Sequence, residues 1–290
     1  MSCTSLLTLA SFAVATLFDA ETQRISTSGA HKFMPPDWSA GHVRGPCPAL
    51  NALSNHGHMS RDGVVHWAEW ARATNKVYGL GRELAFFLAV YGVFVAGNGT
   101  HCSIGGPTPL IDTSSLGPLG LPPRGLTGSH NNYEGDASPC RCDLYKCGEA
   151  HRLHVDLFTA LYDLRGPKGY LTYDDIVTHR IARRKDSENT NGYFTAPVIA
   201  PIAATGAFSF IQLFGNHSEE YPDGWLDGYN LKTFFGVEGE RGDFTYTEGF
   251  FLTSFIFLRA ERSINRHLPA KVPQAPYELS KFPPPSYHHH

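Results

Sequence analysis

Three stretches of the chain place apolar residues at three- and four-residue steps, the spacing that an α-helix with one buried face produces. They run from Val64 to Ala96, from Glu149 to Leu164 and from Thr172 to Ile181. Gly97-Asn98-Gly99 is expected to end the first helix. The third begins with Thr-Tyr-Asp-Asp, a helix-capping sequence. Its C-terminal turn is expected to carry the basic residues Arg180, Arg183, Arg184 and Lys185.

The second half of the chain continues the helical pattern. Residues 198–214 are almost wholly apolar, which indicates a helix buried on all sides that ends at Gly215. Residues 243–267 predict a last amphipathic helix. Residues 103–130 are rich in Gly, Pro, Ser and Thr and have no period, so we expect a long surface loop. Because no internal repeat or sustained strand alternation is present, the sequence predicts a mostly α fold.

The N-terminus carries a thirteen-residue apolar run from Leu6 to Phe18. This run is too short to span a bilayer but fits the core of a signal peptide, which we place at residues 1–20. The protein is therefore expected to be secreted or to enter the endomembrane lumen, where the sequons at Asn98 and Asn216 would be glycosylated. The segment from Leu84 to Ala96 is expected to be a buried helix, so no stable membrane insertion is predicted.

Composition excludes some classes of protein. Charged residues make up 18% of the chain and the formal net charge is −3, so there is no basic patch for nucleic acid. The chain also contains 29 glycines and 20 prolines. These values are typical of a compact, loop-rich globular protein.

Six cysteines leave several pairings open. Cys3 would leave with the signal peptide, and Cys47 stands apart in a motif of its own. The remaining four are Cys102, Cys140, Cys142 and Cys147. Their spacing could indicate zinc, but two disulfides of undetermined connectivity are the simpler prediction in an oxidising compartment.

Cys47 lies between Pro46 and Pro48, which fix the backbone on both sides of the thiol. Pro48 is tolerated in a first helical turn, so a short helix is expected from this point to Leu53. A thiol at a helix N-terminus has a lowered pKa, and a thiolate suits a metal or a nucleophilic role. A buried or disulfide-bonded cysteine in a proline-rich turn is the alternative.

The residues from Arg44 to Gly57, R-G-P-C-P-A-L-N-A-L-S-N-H-G, and the following Arg61-Asp62-Gly63 resemble the proximal motif of the haem-thiolate peroxidases. This family includes chloroperoxidase and the unspecific peroxygenases. The resemblance implies that Cys47 is the axial ligand of a haem b iron. It also implies a single compact helical domain of chloroperoxidase type around a buried haem, here residues 21–268, followed by a Pro-rich tail at 269–290.

A second motif, Asn132-Tyr133-Glu134-Gly135-Asp136-Ala137-Ser138, follows further along the chain. By itself, Glu-Gly-Asp in a loop is most often a turn with solvated carboxylates. The family resemblance implies instead that the Glu134 carboxylate, the Gly135 carbonyl and the Ser138 hydroxyl hold Mg²⁺ beside a haem propionate. These hard oxygen ligands suit Mg²⁺. Asp136 would orient its neighbours.

The family's distal catalytic Glu has no counterpart in this sequence. Aligning Gly192-Tyr193-Phe194-Thr195 with the family brings that position to about Ala204, and no ionisable residue lies nearby. Loss of a general acid–base group lowers the rate by about 10²–10⁴-fold. Thr205 and a water molecule are one candidate relay for the proton. The alternative is that the Thr205 hydroxyl only hydrogen-bonds a backbone carbonyl one turn back. Halide oxidation is not expected.

The resemblance leads to a ranked set of functions. The first is a peroxidase or peroxygenase that oxidises small apolar or aromatic molecules with hydrogen peroxide. The second keeps the haem as a Lewis acid in a lyase or isomerase of secondary metabolism. A haem-binding module without turnover comes third, and a haem-free structural protein is least favoured.

Overall fold

The computed structural model describes residues 25–112, 116–194, 210–216 and 219–246. The helices in this part are α1 (Pro48–Asn55), α2 (Trp67–Tyr78), α3 (Arg82–Val95), α4 (Leu144–Cys147), α5 (Val155–Asp163), α6 (Tyr173–Thr190), α7 (Phe210–Phe214) and α8 (Gly228–Phe235). The strands are β1 (Val64–His66), β2 (His101–Ser103), β3 (Tyr170–Thr172), β4 (Trp225–Asp227), β5 (Val237–Glu238) and β6 (Thr245–Tyr246). Short 3₁₀ turns occur at Gly29–His31, Trp38–Ala40 and Gly166–Lys168. The prediction of a mostly α fold is confirmed.

The strands form three small antiparallel pairs, β1 with β2, β3 with β4 and β5 with β6. Val65 faces Cys102 in the first pair and Leu171 faces Leu226 in the second, and all four side chains are buried. The first two pairs therefore fasten the start of a helix to the core, since β1 leads directly into α2 and β3 leads into α6.

The core is built mainly from aromatic and leucine side chains. Phe158 of α5 and Phe235 of α8 are both buried, with ring centroids 5.8 Å apart. Helix α8 also packs against α1, whose Leu53 is fully buried. Helices α2 and α3 lie against each other, and Trp70 packs directly over Gly92, where a Cβ atom would collide with the indole. No helix among the described residues is long and apolar enough to cross a membrane.

The long helix predicted from Val64 to Ala96 is wrong in two details. Its first three residues form β1, and the helix breaks at 79–81, where Gly79 takes φ +62° as the C-cap of α2. The end at Gly97 is confirmed. The prediction that Leu84–Ala96 is buried is also wrong in part, because Phe86, Phe87 and Phe94 are exposed.

The later helices also differ from the predicted bounds. Helix α5 begins at Val155 rather than Glu149. The capping box of α6 is confirmed, since Thr172 and Asp175 exchange both hydrogen bonds. The helix continues to Thr190, however, so its basic residues lie in the middle rather than at the end, and Arg183 turns into the protein.

The remaining predictions are tested only in part. Helix α7 ends before Gly215, as expected, while most of 198–214 lies outside the described residues. At 243–267, the described beginning is strand β6 rather than helix. The loop at 103–130 is irregular after β2, but Ile104 and Leu126 are fully buried, so it does not lie wholly on the surface.

Candidate functional site

Cys47 is the N-cap residue of α1, and Pro48 takes the first helical position, as predicted. The Cys47 carbonyl accepts the first helical hydrogen bond from the Asn51 N–H, at 3.1 Å. The Tyr78 hydroxyl donates to the Ala49 carbonyl at 2.7 Å and so ties the first turn of α1 to α2. Cys47 is not disulfide-bonded. The structure therefore presents a half-buried thiol at a fixed helix N-terminus.

The turn before the cysteine is held by Asn51, whose side chain is fully buried. Its Oδ1 accepts from the Gly45 N–H and its Nδ2 donates to the Gly45 carbonyl, both at 2.9 Å. Gly45 itself lies against the Ile104 carbonyl, where a Cβ atom would overlap the oxygen. Only glycine fits this position, which explains the Gly of the motif.

Arg44 is a second fixed point of this turn. Its Nε donates to Asn55 Oδ1 at 2.8 Å, and its Nη1 and Nη2 donate to the carbonyls of Val43 and Arg61 at 2.6 and 2.9 Å. Burial lowers the pKa of Arg44 to about 10, so the guanidinium remains charged at neutral pH. Arg44, the charged first residue of the motif, therefore has a structural role in holding this turn.

The Arg61-Asp62-Gly63 segment closes the motif from the other side. The Asp62 carbonyl accepts from the Val43 N–H at 2.7 Å, and its Oδ1 accepts from the Val64 N–H at 2.8 Å. Gly63 has φ +84° and lies against Val43, so a side chain would be strained and obstructed. Sequence reasoning missed these structural roles; for Asn51, a polar residue inside an otherwise apolar helix was the signal.

The pKa of the Cys47 thiol is raised, which contradicts the lowered pKa expected from the helix N-terminus. Burial is the main cause, and it outweighs the N–H groups of Leu50 and Ala49 and the charge of Arg141, which all favour the thiolate. A cation bound at the sulfur reverses this balance, because a thiol that coordinates a metal is deprotonated.

The second motif forms a tight loop around two carboxylates. Asn131 takes φ +63°, and its N–H donates to the Glu134 carbonyl at 2.7 Å. The Asp136 carboxylate, which is fully buried, accepts from the Leu144 N–H at 3.2 Å and from Asn191 Nδ2 at 2.8 Å. Asp136 therefore ties this loop to Leu144 and Asn191.

His130 lies between the two carboxylates of this loop, a contact that sequence reasoning did not find. Its Nδ1 is 3.5 Å from Glu134 Oε1 and its Nε2 is 3.5 Å from Asp136 Oδ1. Burial alone would lower the pKa of His130, but the two carboxylates outweigh it and raise the pKa to about 9. Burial also raises the pKa of Glu134.

Helix α6 holds the loop that carries these carboxylates. Arg183 Nε donates to the Ser138 carbonyl at 2.9 Å, and His179 Nε2 donates to the Pro139 carbonyl at 2.7 Å. Asn191, just after α6, bridges the two buried aspartates by donating also to Asp143 Oδ2 at 3.1 Å. The loop is thereby fixed to a long helix.

The two motifs come together at Arg141 and Tyr133. Arg141 is buried, its Nε donates to the His151 carbonyl at 3.0 Å, and its charge acts on both the Cys47 thiol and the Glu134 carboxylate. Burial raises the pKa of Tyr133 well above its usual value, and the charge of Cys47 adds to this effect.

A row of aromatic rings leads away from this meeting point. The ring of Tyr133 lies 5.6 Å from that of Trp70 and is stacked 5.9 Å from that of Tyr91. Tyr91 is in turn stacked on the exposed Phe87 at 5.8 Å. One end of the row is within electrostatic range of the thiol and the other reaches solvent.

These residues fit a thiolate-bound haem on one count: a fixed, unbridged thiol faces N–H groups and a buried cation. For the Mg²⁺ set of Glu134, Gly135 and Ser138, Glu134 Oε1 is buried and makes no hydrogen bond among the residues described, but it faces His130 Nδ1 at 3.5 Å. In that same part of the chain, no three His, Cys, Asp or Glu side chains converge as a metal site, but the proposed set requires only one carboxylate.

The other cysteines differ from the prediction of two disulfides. Cys142 and Cys147 are bridged, whereas Cys102 and Cys140 are separate buried thiols. Burial raises the pKa of both of these thiols, because a low-dielectric interior disfavours the thiolate. The distal position predicted near Ala204, with Thr205, lies outside the described residues.

Comparison with known proteins agrees with this arrangement. The family described as "Peroxidase, family 2" matches residues 31–255. The chain is 38% identical over 241 residues to the aromatic peroxidase fscJ of Fusarium equiseti, covering 80% of this chain and 55% of that protein. It is 35% identical over 235 residues to the dothistromin biosynthesis peroxidase dotB of Dothistroma septosporum, covering 80% of this chain and 56% of that protein.

A more distant relative is an aromatic peroxygenase of Coprinellus radians, 30% identical over 210 residues, which cover 70% of this chain and 78% of that protein. The chain thus spans about 55% of the length of the first two relatives. The family match covers both motifs and the helices that fix them. The chain belongs to the family 2 peroxidases, the fungal haem-thiolate peroxidases.

Proposed function

We propose that this protein is a haem-thiolate peroxidase or peroxygenase that oxidises small apolar or aromatic molecules with hydrogen peroxide. One observation carries the proposal: the Cys47 thiol is held unbridged at the N-cap of α1 by a turn that Arg44 and Asn51 lock from inside the protein. Such a thiol serves as an axial ligand without reorganisation of its loop.

The residues near the thiol have distinct roles in this proposal. Haem b bound to the Cys47 thiolate supplies the chemistry that favours cleavage of the peroxide O–O bond. The N–H groups of Leu50 and Ala49 and the charge of Arg141 stabilise the negative sulfur. The aromatic row from Tyr133 through Tyr91 to Phe87 offers an apolar wall for a substrate ring. The names of the relatives, aromatic peroxidase and aromatic peroxygenase, support this substrate class.

Mg²⁺ bound by Glu134, Gly135 and Ser138 is part of the same proposal. The buried Glu134 Oε1 supports it, since this oxygen has a 3.5 Å ion-pair contact with His130 Nδ1 but makes no hydrogen bond in the described part of the chain, which leaves room for a further ligand. His130 and Asp136 hold the loop in place for this role. We also propose entry into the secretory pathway, with Asn98 as a glycan acceptor in the turn that follows α3.

The test is an absorption spectrum of the purified full chain loaded with haem, in the ferric state and after reduction under carbon monoxide. Membership of the haem-thiolate peroxidases implies a Soret band strongly shifted to longer wavelength for the carbon monoxide complex, because the axial ligand is a thiolate. Cys47→Ala is expected to abolish this band. Cys102→Ala, which removes another buried thiol, is the matched control and is expected to retain it.

A carbon monoxide complex without that shift, or a chain that takes up no haem, would contradict the assignment of Cys47 as a thiolate ligand. Peroxide dependence separates the two enzymatic hypotheses. Turnover of an aromatic substrate only when peroxide is added supports the peroxygenase. Conversion without peroxide supports the lyase or isomerase alternative, a possibility that the biosynthetic name of the relative dotB keeps open.

A further inference from the structure

Three histidines cluster at the opposite end of α1 from Cys47, outside the site described above. His56 is the C-cap residue of α1, His58 follows it, and His31 belongs to the segment 25–34 that lies across the helix end. The rings of His31 and His58 are stacked, with centroids 3.9 Å apart and planes 10° apart. This close stacking leaves little room between the two rings.

The same rings fasten the segment to the helix through carbonyl oxygens. His31 Nδ1 donates to the His56 carbonyl at 3.0 Å, and His56 Nδ1 donates to the His31 carbonyl at 2.9 Å. His58 Nε2 donates to the Ser26 carbonyl at 3.0 Å. Because a carbonyl oxygen only accepts, each of these nitrogens carries a hydrogen. An added proton must therefore go to Nε2 of His31 or His56, or to Nδ1 of His58.

Adding a proton at these nitrogen atoms is energetically unfavourable. His56 is fully buried, and its Nε2 has no hydrogen-bond partner in the described part of the chain, so a second N–H would lack an acceptor. Protonating both His31 and His58 places two cations face to face. The charged and titratable groups that act on His56 are Arg61 and His31. Those that act on His58 are His31, His56 and Lys76.

These conditions keep the rings of His56 and His58 neutral. Burial lowers the pKa of His56, and burial followed by the charge of His31 lowers the pKa of His58 to about 4. An unfolded histidine titrates at about 6.5, so the unfolded chain binds more protons between the two values. The stabilisation that the neutral His58 ring gives the folded state is complete above about pH 6.5. It is lost as the pH falls from there through about 4.

The segment is also connected to the cysteine turn through Arg61. Arg61 Nη2 donates to the carbonyls of Ala30 and Lys32 at 2.7 and 3.1 Å, and its Nη1 donates to the Asn55 carbonyl at 2.7 Å. Asn55 in turn accepts from Arg44. Loss of the segment would therefore remove contacts from the residues that fix the cysteine turn.

We propose that His31, His56 and His58 form an acid-sensitive latch, which releases residues 25–34 from the end of the cysteine helix when His56 and His58 take up protons. The latch is independent of the proposed oxidation chemistry, since every contact that forms it lies in the protein chain. Opening of the latch therefore determines the lowest pH at which the cysteine turn keeps all of its contacts.

Hydrogen exchange of the full chain, followed by mass spectrometry from about pH 7 to about pH 3.5 and corrected for intrinsic exchange, tests the latch. Protection of residues 25–34 is expected to fall by on the order of a hundredfold, while α5 remains protected. His58→Phe keeps a ring on His31 but removes one titrating group, and is expected to lower the midpoint by about one pH unit. His154→Gln alters an exposed histidine and is the matched control.

Protection of 25–34 that does not change with pH would overturn the latch, as would loss of protection in that segment and in α5 together. An unchanged midpoint in His58→Phe would do so as well. If that variant does not fold, proton resonances of the wild-type rings decide the question. A His58 ring that titrates at about pH 4 together with release of the segment supports the latch, and His56 and His58 rings that both titrate at about 6.5 contradict it.

Discussion

The side chain of Asn51 allows a quantitative test of how the cysteine turn is held. Asn51→Ala removes two buried hydrogen bonds and leaves the N–H and the carbonyl of Gly45 without partners. An unsatisfied buried backbone group costs about 1–3 kcal/mol, so the free energy of unfolding is expected to fall by about 2–6 kcal/mol. This is a large part of a typical total of about 5–15 kcal/mol.

Urea denaturation of the wild type and the variant measures this difference. Asn75→Ala is the matched control, because the half-buried Asn75 makes a single bond, from its Nδ2 to the Leu80 carbonyl at 2.7 Å. It is expected to cost about 1 kcal/mol. Equal losses in the two variants would refute the reasoning that the Asn51 amide holds the turn.

Asn51→Asp adds an internal check on the same contact. The new carboxylate keeps the acceptor for the Gly45 N–H but faces the Gly45 carbonyl with an oxygen instead of a donor. Burial raises its pKa in the folded protein, so its protonated form, which restores the donor, is favoured there. The loss relative to the wild type is therefore expected to be smaller at about pH 5 than at about pH 8.

Three other substitutions test the supporting structure. Gly45→Ala would place a methyl group on the Ile104 carbonyl oxygen and is expected to cost about 3 kcal/mol in urea denaturation; a loss below about 1 kcal/mol would contradict the close approach. Thr172→Ala breaks the capping box with Asp175 and is expected to cost about 1 kcal/mol, seen as a lower Tm. Asn191→Leu removes the donor shared by two buried carboxylates and is expected to cost about 2–4 kcal/mol; a neutral result would show that the bridge is dispensable.

The cysteine site was predictable from sequence because its signals are local. Pro48 after Cys47 marks a helix start, and the structure has that start at the predicted residue. The direction of the Cys47 pKa was not predictable in this way, because it depends on burial by distant parts of the chain. The helix dipole is a local effect, whereas desolvation belongs to the tertiary fold.

The second motif shows the same limit. Glu134 and Asp136 are evident in the sequence, but His130 between them depends on a left-handed residue, Asn131, that folds the loop back. The basic residues of α6 were expected at a helix end because periodicity gave no stop signal beyond them. Arg183 is instead directed inward by partners some 40 residues earlier, such as Ser138 and Asp143.

The bridge between Cys142 and Cys147 closes a very short loop, with a sequence separation of 5. A loop of this size constrains the unfolded chain by only about 2 kcal/mol. Since Cys47, Cys102 and Cys140 are all thiols, the part of the fold that the structure describes gains little from an oxidising environment. Recombinant production in a reducing bacterial cytosol should therefore yield the folded chain, while oxidative refolding risks trapping the functional thiol in a wrong pair.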